Sequence, residues 1–348
     1  MNSRSSNLCS PMVKEYLSGC LKLSKPTKKR VLLALVITLT VNLFMYKTCL
    51  CFYNSEVGYY NDLLGFGINT CVMRTLILKE SCPVGGPCQM YTTLPENPSE
   101  AIFLNVHTHV DVKAVDVYYQ ELLTSNVTEF KKVSAELFPY EGLESLAQRN
   151  VHTALISGLK PNTKYLSKVF YNNRFWTNAI FKTLPAPGDK KTPIRMINGG
   201  DSGYNEAAVN LSKIVAKLKP DVFFMGGDIA YDDNMPACAY TWDYFLGMYG
   251  RITASVGYLM PIVATVGNHD VGLNELPGVN ITVSNKGPAF HIYFPQHYER
   301  NLDGHIIEKV PSLSQRRTMF NFTFGNLHYV ALDSGYMHGF DGYNLFLL

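Results

Sequence analysis

Five residues able to hold a cation or move a proton stand in three short stretches: Asp201 in NGGDSGYN, Asp228 and Tyr231 in GGDIAYDD, and Asn268 and His269 in VGNHD. Two carboxylates, a phenol and a carboxamide are hard oxygen donors, which suit a highly charged cation such as ferric iron. A cation beside Tyr231 lowers its pKa far below the phenol's ordinary value of about 10, so Asp201 and Tyr231 are both anionic or readily made so beside a metal. Asp228 carries two oxygens, one for each of two ions, and is the natural bridge. Asn268 adds a carbonyl oxygen without charge and suits a divalent ion, while His269 stays free to face a substrate. Alone, an Asp after a Gly pair is most often a turn or a helix cap. Three such stretches in this order carry the reading that none carries singly. Asp232, Asp233 and Asn234 lack the spacing of a calcium loop and read as a solvated turn.

The text around these stretches supplies elements to position them. IRMI runs into Asn198, DVFFMGG ends at Asp228 and PIVATVGNH ends at Asn268 and His269, so each reads as a buried strand with polar chemistry at its carboxyl end. Between the first two, EAAVNLSKIVAKLKP reads as a helix with Val209, Ile214, Val215 and Leu218 on one apolar face. Strand, helix and strand in alternation predict a parallel sheet covered on both faces, with ligands at the strands' carboxyl ends. Upstream, from Pro98 to about 185, short alternating runs such as AIFLNVHTHV and TKYLSKVFY predict an antiparallel sandwich. Leu159, Pro161 and Tyr165 have the spacing of a tyrosine corner. His107, His109 and His152 fall inside this pattern and read as strand residues, and PAPGDKKTP reads as the linker that follows.

With 348 residues, 47% hydrophobic and 17% charged, the chain is long enough for two cores and too apolar for wholesale disorder. Seven of its basic residues fall in the first thirty positions against Glu15 alone, which leaves the remainder mildly acidic despite a net charge of +3. A nucleic-acid partner is therefore not expected. Val31 to Tyr53 reads as a transmembrane anchor with Lys47 snorkelling, preceded by Lys28, Lys29 and Arg30. That flank predicts a cytosolic tail, and a lumenal or extracellular remainder that would be secreted if the apolar segment were cleaved. Sequons at Asn126, Asn210, Asn280 and Asn321 agree with that side. Cys82 and Cys88 flank a tight PVGGP segment and are the disulfide candidate among Cys71, Cys82, Cys88 and Cys238.

The three motifs resemble those of purple acid phosphatases within the calcineurin-like metallophosphoesterase superfamily. Tyr231 is the most diagnostic, because other branches open with Asp-x-His where this chain has Asp201, Ser202 and Gly203. The resemblance implies an α/β fold, a metallophosphoesterase βαβ-type sandwich preceded by an all-β fibronectin type III-like module and an N-terminal transmembrane helix. Its layout would be a basic tail at 1–30, an anchor at 31–53, a disulfide-bearing linker at 54–97, the fibronectin-like module at 98–185 and a partial phosphoesterase domain at 192–348. It also implies that Asp201 and Tyr231 bind ferric iron, that Asp228 bridges, and that Asn268 binds a divalent zinc, iron or manganese ion. His269 would contact the phosphate ester substrate, and a metal-activated hydroxide would attack phosphorus, with an acidic optimum.

The resemblance also leads to an expectation of three further histidines, in a Val-x-x-His and a Gly-His-x-His segment C-terminal to GNHD; residues 271–348 contain neither. His291, His297, His305, His328 and His338 stand in other contexts and read as core or surface residues. Two readings follow: an acid phosphatase whose sequence is truncated, or a membrane-anchored, catalytically silent binding protein. On either, the 348-residue polypeptide is expected to hydrolyse an aryl phosphate feebly or not at all.

Overall fold

A computed structural model describes residues 27–47, 82–122, 129–140, 148–203, 206–232, 240–271, 288–296 and 309–333. They fall in two units, Met1–Lys47 and Thr48–Leu348. The first contributes one helix, α1 (Lys28–Lys47), whose Leu32, Leu33, Val36 and Leu39 are exposed. Thr40 returns its hydroxyl to the carbonyl of Val36 at 2.8 Å, which lets a polar group sit in an apolar helix. Among the described residues no helix is long and apolar enough to cross a membrane. Residues 48–53 of the expected anchor lie outside them, as do Asn126, Asn280, Cys71, Cys238, His297, His305 and His338.

In the second unit a Cys82–Cys88 disulfide leads into β1 (Pro87–Thr93), a strand that lies in the stretch expected to be linker. Its alternation is masked by Pro87 and Gln89 at one end and by a run of three consecutive buried residues, Tyr91, Thr92 and Thr93, at the other. The sandwich continues with β2 (Ile102–Thr108), β3 (Val115–Glu121), β4 (Lys131–Ser134), β5 (Glu136–Tyr140), β6 (Arg149–Ile156), β7 (Lys164–Tyr171) and β8 (Arg174–Lys182). One antiparallel layer has the order β5-β6-β2-β1 and the facing one β4-β3-β7-β8. Alternate residues point inward, so Ile102, Leu104, Val117, Ala154, Val169 and Phe181 share one core. Tyr165 accepts the N–H of Lys160 at its Oη, 2.7 Å away, which closes the corner read from the sequence.

The second half follows with β9 (Met196–Gly199), α2 (Glu206–Leu218), β10 (Val222–Met225), α3 (Tyr240–Val256), β11 (Ile262–Ala264), α4 (Asn268–Val271), α5 (Ala289–Tyr293), β12 (Phe320–Phe324) and β13 (Leu327–Ala331). β9, β10 and β11 pair in parallel as expected. Phe223, Met225, Ile262 and Ala264 pack against Trp242, Phe245, Tyr249 and Ile252 of α3. Val222, Phe224 and Val263, on the opposite face, meet Phe320, Phe322 and Phe324 of β12. α2 departs from its expected face: Ala208 and Ser212 are its buried positions, while Ile214 and Leu218 are exposed.

The two halves are not separate beads. β1 pairs in parallel with β11 through Thr93 and Ile262, giving one seven-stranded sheet, β5-β6-β2-β1-β11-β10-β9. A buried polar joint reinforces the seam. Arg149 of β6, fully buried, makes two parallel bonds to Asp243 of α3, Nη1 to Oδ1 at 2.7 Å and Nη2 to Oδ2 at 2.8 Å. Its Nη1 also faces His107 Nδ1 at 3.4 Å, and His107 Nε2 faces Tyr91 Oη at 3.1 Å. Because arginine only donates, Nδ1 accepts and Nε2 carries the proton; Tyr91 passes its own proton on to the carbonyl of Tyr293, 2.6 Å away.

Burial, then the nearby Arg149 charge, hold His107 well below the ordinary imidazole range, and burial holds His152 down to about 4. The unfolded chain therefore takes up protons first as pH falls, so stability complete above about pH 6.5 is lost progressively as pH falls, His152 contributing about 1–3 kcal/mol of that loss by pH 4. Thermal melts between those limits should show this fall. His152→Gln should make it shallower, and an unchanged slope would show that His152 is not a source.

Candidate metal centre

Each polar motif lies just beyond the carboxyl end of a parallel strand. The ladder between the first two loops runs past the strands themselves: the N–H groups of Asp201, Ser202 and Gly203 donate to the carbonyls of Gly227, Asp228 and Ile229 at 3.1, 3.0 and 3.0 Å. This register brings Tyr231 Oη to Asp201 Oδ1 at 3.3 Å. From the third loop, the His269 N–H donates to Asp228 Oδ1 at 3.0 Å, and the His269 ring stacks on Tyr231 with centroids 4.7 Å apart. Asp201, Asp228, Tyr231 and His269 are thus brought together, and Asn268 stands half-buried beside them at the start of α4. His269 is more enclosed than expected, at 5% exposure.

The loops are held in an uncommon backbone conformation. Asp201, Asp228 and Tyr231 all have positive φ, at 49°, 49° and 57°. For residues other than glycine this left-handed region costs roughly 1 kcal/mol each and persists only where surroundings fix it. Two glycines allow the loops to come backbone to backbone. A Cβ on Gly227 (φ 91°) would lie 2.8 Å from the Gly267 nitrogen, and one on Gly267 would overlap the amide and carboxylate of Asp228.

Tyr231 has its pKa pushed well above the usual phenol value, first by burial and then by the carboxylates of Asp201 and Asp228. In this acidic surrounding the protein alone keeps the phenol neutral and donating to Asp201; a cation reverses that balance by compensating both carboxylates. The donor set therefore fits a hard metal ion. Among the described residues no group of three or more His, Cys, Asp or Glu side chains is placed to hold one.

Two residues carry more than their sequence context indicated. Asp232, expected in a solvated turn, is 1% exposed, and its charge acts on the buried phenols of Tyr140 and Tyr293. Asp270, given no role in the sequence reading, is fully buried and accepts three backbone N–H groups, from Ile229, Ala230 and Gly267. Burial raises its carboxyl to about 7, against the lowering effect of those bonds. An acidic residue immediately after the GNH triplet was the available signal. His291 Nε2 meets the carbonyl of Leu313 at 2.8 Å, and His328 Nδ1 meets Thr323 Oγ1 at 2.7 Å.

Residues 198–346 match the family model for calcineurin-like phosphoesterases. Curated relatives from Arabidopsis thaliana include purple acid phosphatase 15, 23% identical over 58% of this chain and 38% of its own, and purple acid phosphatase 21, 29% identical over 53% and 35%. The probable inactive purple acid phosphatase 1 of the same plant is 30% identical over 34% of this chain and 21% of its own. The purple acid phosphatase from yellow lupin (Lupinus luteus) seeds shares the fold with a TM-score of 0.51, at 16% identity over 70% of this chain and 44% of that one. This is a purple acid phosphatase-like protein. The chain spans little more than a third of the length of the first two curated relatives.

Proposed function

We propose that the protein is a hydrolase of phosphate monoesters of the purple acid phosphatase type. Asp201 and Tyr231 would hold ferric iron, Asp228 would bridge, and Asn268 would hold a divalent zinc, iron or manganese ion. The observation that carries this reading is the convergence of three strand-end loops that sets Tyr231 Oη 3.3 Å from Asp201 Oδ1 and ties His269 to Asp228. When bound, the ions supply Lewis acidity that draws charge from a phosphoryl group. The chain's own residues do the rest: Asp201 and Asp228 offset the ions' charge, Tyr231 releases its proton to become a ligand, and His269 orients the ester and protonates the leaving oxygen. In sequence, a membrane anchor at 31–53 would precede the fibronectin type III-like sandwich, with Asn210 and Asn321 as lumenal glycan acceptors.

The test is titration of the 348-residue chain with ferric iron and zinc, read by calorimetry and by phenolate absorbance. Saturable binding is expected, with Asp228→Asn weakening it at least about tenfold and Tyr231→Phe removing the phenolate signal. A wild-type chain that binds neither ion would overturn the reading.

A second reading, a catalytically silent binding protein, is favoured by the small donor set and by a relative whose name calls it inactive. Turnover of an aryl phosphate at acid pH that Asp228→Asn abolishes removes it.

A further inference from the structure

We propose that Asp270 is the positioning residue of this centre: its carboxylate clamps the loop after β10 to the loop after β11 and so fixes where Asp228 and Tyr231 stand. The geometry of the clamp is independent of the metal reading, and its consequence for metal binding rests on it. Oδ1 accepts the N–H of Ile229 at 2.8 Å and that of Ala230 at 3.4 Å, while Oδ2 accepts the N–H of Gly267 at 3.0 Å. Each oxygen thus serves a different loop. Ile229 and Ala230 are the two residues between Asp228 and Tyr231, whose positive φ values make this segment prone to relax unless it is held from outside. Gly267 is the residue whose missing Cβ lets the loops touch. Asp270 is itself anchored by its own N–H on the carbonyl of Gly267 at 3.2 Å and is excluded from water. A carboxylate with two acceptor oxygens is the one side chain here that answers amides on both sides. Asparagine has one acceptor and would turn an NH2 toward the amide of the other loop. Alanine has none.

Amide hydrogen exchange on the metal-free chain tests the clamp, and zinc titration of the same proteins tests its consequence. Asp270→Ala is expected to raise exchange about tenfold or more in both 227–231 and 266–268, and Asp270→Asn in one of the two, with α3 and β12 still protected. Zinc affinity in Asp270→Asn should fall about tenfold or more, whereas Phe322→Leu, a core change on β12 that lowers stability without touching the loops, should leave it unchanged. Wild-type exchange in Asp270→Asn overturns the proposal, as does exchange that rises equally across α3 and β12. Freed loops with wild-type zinc affinity also overturn the positioning role. If the wild-type chain binds no zinc while Asp270→Asn still frees a loop, the clamp stands and the metal reading alone falls.

Discussion

Gly267→Ala is expected to abolish metal binding and to lower stability by about 3 kcal/mol. The new methyl group would fall on the amide and carboxylate of Asp228, so the two loops must part by roughly 1 Å or more to restore van der Waals contact. Parting them stretches the Gly267 bond to Asp270 and the His269 bond to Asp228, both 3.0 Å now. Gly250 on α3 supplies the contrast, since a Cβ there meets nothing within 4 Å. Gly250→Ala should raise stability by about 0.5–1 kcal/mol through helix propensity, with zinc binding untouched. Urea unfolding and zinc titration of the two variants decide the matter. Equal behaviour of both would mean that the loops do not meet as described.

Arg149→Met should destabilise the second unit by about 3–5 kcal/mol, because the part-buried Asp243 would be left without its cation and the buried His107 Nδ1 without its donor. The cost lies in the stranded partner more than in the lost pair. Arg149→Met combined with Asp243→Leu should therefore recover most of the loss, as apolar replacement of a buried ion pair often does. Urea denaturation should show a single transition for the sandwich and the phosphoesterase half together, since the pair spans their seam and one sheet runs through both. Two transitions in wild type, or a double variant no better than the single, would show that the joint does not couple them.

Much of the centre was legible because it obeys local rules. An apolar strand that ends in Gly and a lone carboxylate announces a loop at a sheet's carboxyl edge, and three in succession define one crevice. The tyrosine corner and the Cys82–Cys88 bridge were readable for the same reason, since each is closed by residues near in sequence. What escaped the reading depends on partners far along the chain. Arg149 looks like any strand-end arginine until α3 brings Asp243 to it, and Asp232 looks solvated although the fold buries it where its charge acts on Tyr140 and Tyr293. α2 misled because its most apolar stripe is not its packing stripe; small residues, Ala208 and Ser212, let it approach its neighbours, so bulk does not mark the inward face. β1 was taken for linker because a disulfide and a proline sit at its start, where alternation would otherwise show.

The place of β1 in the sheet bears on how the chain is made. Its one edge finds β2 almost at once, but its other edge waits for Ile262, which a ribosome delivers only after the whole sandwich and two further strands have emerged. Through that interval a nascent chain carries an open β edge flanked by Thr92 and Thr93, a template for pairing with a neighbouring copy. Export into a compartment with chaperones that shield such edges, or a pause that holds β1 back, would favour the correct partner. A chain released before β11 is complete would keep the sandwich's residues and yet lack the strand that closes its seam.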